Sequence, residues 1–136
     1  MVVVGGEAQV ADHLRDGYWI EPTVFAEVFP DSVIAQNEIF GPVLSVLKLD
    51  SDDEVIEIAN GTEFGLAGSI QSPNSEQAGV IASRLRAGGV GVNGGVAFTY
   101  PDVPFGGIRA SGLGRKNGVE GFEAYLQSTV LVAPAG

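Results

Sequence analysis

The 136-residue sequence contains no cysteine and one histidine, His13. A chain without thiols can form neither a disulfide nor a thiolate metal site, so we expect no metal centre. Lysine and arginine together number 7 against 17 acidic residues, which gives a formal net charge of −10. Because phosphate binding requires clustered basic side chains, nucleic acid is not an expected partner. No apolar run has the length of a membrane span, so we expect a cytoplasmic protein without a membrane partner.

The hydrophobic fraction of 45% is that of a folded protein rather than a disordered one. The length suits one compact domain but not a cofactor domain joined to a catalytic domain. Three apolar runs of strand length alternate with helical segments, which predicts an α/β fold with a mainly parallel sheet and flanking helices. The predicted strands are Val43–Leu49, expected to be buried on both faces, Leu66–Gln71 and Val90–Asn93.

Two helices separate these predicted strands. Ser51 and Glu54 are spaced as a capping box, and Val55, Ile58 and Ala59 follow at helical spacing. The second helix begins near Asn74 and ends before the glycine pair 88–89. Its apolar residues recur at i, i+3, i+4 and i+7, namely Ala78, Ile81, Ala82 and Leu85.

The segment from Gly94 to Gly118 has many glycines and no clean period, which predicts an irregular but ordered loop. Loops of this length in compact domains are usually functional. A helix is predicted near Val119–Leu126, followed by a terminal strand at Ser128–Val132. A short apolar strand at a chain end needs a sheet edge with which to pair.

Residues Gly89 to Gly94 fit the pattern G-x-G-x-x-G, which in dinucleotide-binding proteins follows a strand and opens a helix. Here the glycines follow a predicted helix and alternate as a strand themselves. We therefore interpret the match as chance, and no phosphate-binding glycine loop is predicted.

Six further segments occur in an order that is far more specific than any one of them. They are Gly17–Phe25, Glu38–Pro42, Phe64–Gly68, Gly91–Asn93, Pro104–Gly107 and Ser111–Arg115. This set resembles the C-terminal part of the NAD(P)-dependent aldehyde dehydrogenase family. The resemblance implies that residues 1–127 are part of a catalytic domain and that residues 128–136 form a terminal strand used in oligomerisation.

The resemblance also implies site residues. The glutamate at the position of Glu38 holds the nicotinamide ribose in the family, and the phenylalanine at Phe40 packs beside the nicotinamide. Phe105 and Phe98 correspond to residues of the apolar tunnel that aldehydes enter. From the residues alone, an exposed turn glutamate and phenylalanines of the core remain the alternatives. Lys116 stands where many relatives carry glutamate, and a charged lysine cannot activate water as a base.

Family members oxidise an aldehyde through a cysteine thiohemiacetal, with a glutamate assisting hydrolysis and NAD or NADP accepting the hydride. The cysteine and that glutamate precede the matched region, so no catalytic residue is predicted in this chain. We expect an aldehyde substrate, a homo-oligomer and an inactive isolated chain. Three hypotheses follow: a fragment of a complete enzyme, a truncated product that only binds or assembles, and half of a site supplied in trans.

Overall fold

The structure is a computed structural model, and it describes residues 1–6, 11–95 and 100–136. The chain divides into two compact units, Met1–Ile58 and Ala59–Gly136. The strands are β1 (Val2–Val4), β2 (Thr23–Phe25), β3 (Val43–Ser45), β4 (Ala67–Ile70) and β5 (Gly89–Val92). The helices are α1 (Val33–Gln36), α2 (Asp52–Asn60), α3 (Ser75–Arg84) and α4 (Gly118–Glu123), with 3-10 turns at Asp12–Leu14 and Arg109–Ser111.

The first unit contains a three-stranded sheet in the order β1-β2-β3. Strand β2 pairs antiparallel with β1 and parallel with β3, so that Thr23 lies opposite Val43. Thr23 is buried, and its hydroxyl is satisfied because it donates to the Glu21 carbonyl and accepts from the Gly6 amide. Neither β1 nor β2 is predicted from the sequence, since both are only three residues long.

Strand β3 corrects the expectation of a strand over Val43–Leu49 that is buried on both faces. The paired strand ends at Ser45, and exposure alternates along the run: Leu44 and Val46 are 58% and 42% exposed, while Val43 and Leu47 are half-buried. An alternating pattern is that of a sheet covered on one face. In the first unit, helices therefore do not enclose this sheet on both sides.

The second unit contains the predicted βαβ arrangement. Strands β4 and β5 are parallel and in register from Ala67 opposite Gly89 to Ile70 opposite Val92, and α3 packs against β5. Because β5 is a strand that leads into a turn at Asn93, the interpretation of the glycine pattern there as a chance match is confirmed. The predicted α/β class is likewise confirmed.

The predicted capping interactions explain where the two longer helices begin. The Ser51 hydroxyl accepts a hydrogen bond from the Glu54 amide at 3.2 Å, and the Glu54 carboxylate accepts from the amide of Asp50. At α3, the Asn74 side chain accepts from the Gln77 amide at 3.1 Å. Each bond satisfies an amide that the first helical turn leaves without a partner.

The predicted terminal strand does not form within this chain. Residues 127–136 belong to no helix or strand, and Val130, Leu131 and Val132 are 82%, 94% and 90% exposed. The physical reason is that a strand requires an edge with which to exchange hydrogen bonds, and no described strand pairs with this segment. The preceding helix α4 is also shorter than the predicted Val119–Leu126.

The core is small for the amount of apolar sequence. Among the described residues, the buried apolar side chains are those of Val28, Ile56, Ala78 and Ile81. The chain exposes 10368 Å². A globular protein of this mass exposes about 6,700 Å², and two separate bodies of half that mass expose about 8,100 Å². Much apolar surface that a folded domain normally covers is therefore open in this chain.

Gly79→Ala is expected to stabilise the chain by about 0.5–1 kcal/mol, because alanine removes the entropic cost of glycine in a helix. Gly79 lies inside α3, and no atom lies within 4 Å of the position that its Cβ would take. The midpoint of urea unfolding, followed by circular dichroism, measures this change.

Gly94→Ala is the matched control, because its Cβ would also meet no atom within 4 Å. Gly94 has φ +92°, a conformation that alanine adopts at a cost of about 1 kcal/mol or more. The same substitution should therefore stabilise at position 79 and destabilise at position 94. Equal shifts at both positions would contradict this account.

Candidate functional site

The first group of predicted site residues lies on the turn between α1 and β3, which we call the 38–42 turn. Helix α1 ends at Gln36, and the next residue, Asn37, is extended and donates its amide to the Val33 carbonyl. At the other end, the Pro42 carbonyl accepts from the Thr23 amide at 2.9 Å, and the Val43 amide donates to the Gly41 carbonyl at 2.7 Å. Both ends of the turn are thus fixed by backbone hydrogen bonds.

Phe40 lies at the centre of this turn in a backbone conformation that aromatic residues rarely adopt. Its φ is +58°, in the left-handed region, and its side chain is 91% exposed. The alternative that Phe40 is a core phenylalanine is therefore wrong for this chain. A left-handed residue costs about 1–2 kcal/mol, and such residues persist where the surroundings hold them, often at binding sites.

Glu38 is exposed on the same turn, two residues before Phe40. In the part of the chain that the structure describes, no hydrogen bond or ion pair holds its carboxylate. No atom lies within 4 Å of the Cβ position of Gly41, so the turn is open to an approaching molecule. An ionised carboxylate accepts hydrogen bonds only, and its two oxygens suit two neighbouring hydroxyl groups.

Phe105 lies in the second unit and is held by a bridge to Lys116. The amide of each residue donates to the carbonyl of the other at 2.8 Å, in an antiparallel arrangement. The Lys116 ammonium lies over the Phe105 ring, 5.1 Å from its centroid. Phe105 is half-buried and Lys116 is exposed. The bridge therefore fixes an aromatic ring with a cation above one face.

The residues between the two bridge partners form a loop, 106–115, that approaches its own backbone very closely. A Cβ at Gly106 would lie 2.2 Å from the Gly114 carbonyl oxygen, so only glycine fits there. Arg115 closes the loop because its Nη1 donates to the carbonyls of Gly107 and Gly114 at 2.7 and 2.9 Å. The loop is irregular but ordered, as predicted for this segment.

Gly65 connects this loop to the strands of the second unit. Its amide donates to the Ser111 hydroxyl, and its carbonyl accepts from the amides of Gly88 and Ile108, each at 3.0 Å. Gly65 is buried. The segment Phe64–Gly68, noted in the sequence only as part of a pattern, therefore positions the loop that carries Phe105.

Sequence reasoning did not assign a role to Arg109 or to the side chain of Asn60. Arg109 donates from Nη1 to the carbonyls of Asn60 and Thr62, at the end of α2. The Asn60 side chain donates to the Arg84 carbonyl at 2.9 Å and accepts from the Arg86 amide at 2.6 Å. Carbonyls at a helix end and in an irregular segment need hydrogen-bond donors. The arginines of the loop 106–115 were the signal in the sequence that could have indicated such donors.

The predicted site residues lie in both units of the chain. Glu38 and Phe40 belong to the first unit and Phe105 to the second, while Phe98 lies outside the described residues. No cluster of three or more potential metal ligands occurs among the described residues. Within those same ranges, no helix has the length and apolar composition needed to cross a membrane.

Comparison with known proteins places this geometry in a family. The profile of the aldehyde dehydrogenase family matches residues 1–131. The chain is 45% identical to geranial dehydrogenase of Castellaniella defragrans over 126 residues, covering 91% of this chain and 25% of that protein. It is 46% identical to betaine aldehyde dehydrogenase of Rhizobium leguminosarum over 112 residues, covering 82% and 23% respectively.

A solved structure agrees with these sequence matches. Aldehyde dehydrogenase C of Pseudomonas syringae, crystallised as a mutant with NAD⁺ and octanal, superimposes with a TM-score of 0.88 at 44% identity. That match covers 99% of this chain and 28% of the other. The chain thus spans about a quarter of the length of these relatives. With the profile matched across almost its whole length, the chain belongs to the aldehyde dehydrogenase family.

Proposed function

We propose that the chain is the C-terminal part of an NAD(P)-dependent aldehyde dehydrogenase and supplies residues that hold the nicotinamide ribose and shape the aldehyde tunnel. The observation that carries this proposal is the 38–42 turn, where an exposed carboxylate and an exposed, left-handed Phe40 share one rigid support. Exposed groups on a fixed backbone are typical of a binding surface. The nucleophilic cysteine and the general-base glutamate lie outside this chain.

In the first unit, Glu38 would accept hydrogen bonds from two ribose hydroxyls, and Phe40 would limit the movement of the nicotinamide ring. The open carboxylate and the free space beside Gly41 fit such a group. When bound, NAD or NADP would supply the hydride-accepting chemistry. The contribution of this chain is orientation, since a carboxylate that anchors the ribose restricts where the ring can lie.

In the second unit, Phe105 forms part of the wall along which the aldehyde approaches. The bridge to Lys116 and the close contact at Gly106 fix the backbone on both sides of the ring. An apolar wall suits an uncharged carbonyl compound and limits water around the reacting group. Phe98 is proposed for the same wall on the resemblance alone.

An inactive chain that only binds or assembles is the second candidate. The exposed apolar segment Ser128–Val132 and the large open surface favour it, because an unpaired strand segment can complete a sheet in another subunit. We propose that this segment pairs with a partner in a homo-oligomer. The cytoplasmic location stays a prediction. Whether the cofactor is NAD or NADP depends on the residues that bind the adenosine ribose.

A hybrid enzyme tests the proposed function. In it, the residues of Pseudomonas syringae aldehyde dehydrogenase C that align with this chain are replaced by Met1–Gly136. We expect the hybrid to form NADH from NAD⁺ and octanal, because its other three-quarters supply the missing catalytic residues. Absorbance at the wavelength of NADH measures the reaction.

The isolated chain and the host without its C-terminal quarter serve as controls, and both are expected to form no NADH. A hybrid that assembles and binds NAD⁺ but oxidises no aldehyde would refute the proposed function and favour assembly alone. Activity in the isolated chain would also contradict the proposal.

A further inference from the structure

Lys116 is placed where its charge acts directly on the Phe105 ring. The two residues form a hydrogen-bonded antiparallel pair, so their side chains project from the same face of the bridge. The ammonium lies 5.1 Å from the ring centroid, within the range of a cation–π contact. The two backbone bonds keep the backbone of Lys116 opposite that of Phe105.

The charge of Lys116 is not balanced locally. Among the described residues, no carboxylate pairs with its ammonium. The neighbouring cation Arg115 is directed to the carbonyls of Gly107 and Gly114, so its guanidinium adds positive charge to the same loop. The bridge therefore places a positive charge beside the aromatic ring.

This arrangement affects charged substrates in opposite ways. A quaternary ammonium group binds favourably to the open face of an aromatic ring. At Phe105, a lysine lies over one face of the ring, so a cation that approaches this face meets a like charge. A carboxylate on the substrate would instead be attracted to the ammonium.

We propose that Lys116 determines substrate specificity, so that the site disfavours aldehydes carrying a cationic group and favours aldehydes that are neutral or carry a carboxylate. This inference rests on the proposed function, because it takes Phe105 to face the aldehyde.

The test uses the hybrid enzyme with three aldehydes. Betaine aldehyde and 3,3-dimethylbutanal have nearly the same shape and differ by one positive charge, while succinic semialdehyde carries a carboxylate. In Lys116→Glu, we expect kcat/KM for betaine aldehyde relative to 3,3-dimethylbutanal to rise about tenfold, and the same ratio for succinic semialdehyde to fall about tenfold. Both changes should shrink as salt is raised from 0.02 to about 0.5 M, because salt screens charge.

Lys116→Gln, which removes the charge without reversing it, should give about half of each effect on a logarithmic scale. Lys48→Glu is the matched control, since Lys48 is the only other lysine, is exposed, and gives the same change of net charge. A loss of structure would lower kcat/KM for all three aldehydes together. Unchanged ratios in both Lys116 variants would overturn the inference alone, whereas a parent hybrid that oxidises no aldehyde would overturn the proposed function as well.

Discussion

Gly88→Ala is expected to destabilise the second unit by at least about 3 kcal/mol, at the upper end of what added volume costs in a packed site. A Cβ at this position would lie 1.6 Å from the Gly106 carbonyl oxygen and 3.1 Å from that of Leu66. Both contacts are backbone atoms, so no side-chain rotation relieves them. The loop 106–115 would have to move away from the start of β5.

Displacement of this loop also weakens the bridge that holds Phe105. We therefore expect faster hydrogen exchange at the amides of Phe105 and Lys116, which protect each other in the structure. Urea unfolding and hydrogen exchange of the hybrid enzyme measure the two effects.

Gly114→Ala is the control for this prediction. Gly114 lies in the loop 106–115, which Gly88→Ala would displace, but a Cβ at Gly114 would meet no atom within 4 Å. Its unfolding midpoint should stay close to that of the parent. Equal stability of the two variants would show that the close approach between Gly88 and Gly106 does not limit packing.

The elements that the sequence predicted well are those determined by local chemistry. Helix α3 begins at a side-chain cap on Asn74 and buries Ala78 and Ile81, two of the four residues predicted to face inward, with the others half-buried. The strands on either side of α3, β4 and β5, were predicted from short apolar runs. Each of these features depends on residues close in sequence, so periodicity and capping suffice to predict them.

The features that were missed depend on partners distant in sequence or absent from the chain. In α2, Ile56 is buried and Ala59 exposed, because the packing surface rather than the helical period alone selects the buried stripe. Ser128–Val132 has the composition of a strand but no edge with which to pair. The roles of Gly65, Arg109 and Asn60 could not be predicted from the sequence, because each bonds to backbone atoms at least 20 residues away.

The residues of the candidate site also separate into those that the sequence indicated and those that it did not. Glu38 and Phe105 were found through their resemblance to family motifs, whereas physical reasoning alone favoured a core phenylalanine at Phe40. The structure shows Phe40 exposed in a left-handed turn, a conformation that no composition or periodicity rule predicts for an aromatic residue. The contact between Lys116 and Phe105 likewise depends on the register of the bridge. A segment without a regular period gives no signal from which that register could be predicted.

Glu38→Gln in the hybrid enzyme is expected to lower kcat/KM for NAD⁺ by roughly ten- to a hundredfold. The reason is that hydrogen bonds to a charged group contribute about 1.5–3 kcal/mol, and the amide offers one neutral acceptor oxygen in place of the two oxygens of the carboxylate. Loss of ribose anchoring also slows hydride transfer, so the kinetic isotope effect with a deuterated aldehyde should increase. Stability should change by less than about 0.5 kcal/mol, because Glu38 is exposed.

Glu57→Gln is the matched control for Glu38→Gln, since Glu57 is an exposed glutamate on α2 and undergoes the same loss of charge. It should leave both the cofactor kinetics and the isotope effect unchanged. A Glu38 variant that transfers hydride as fast as the parent would exclude ribose binding at the 38–42 turn. A variant in which activity and unfolding midpoint fall together would assign Glu38 a structural role, whereas loss of activity at constant stability is what an exposed carboxylate on a rigid turn requires.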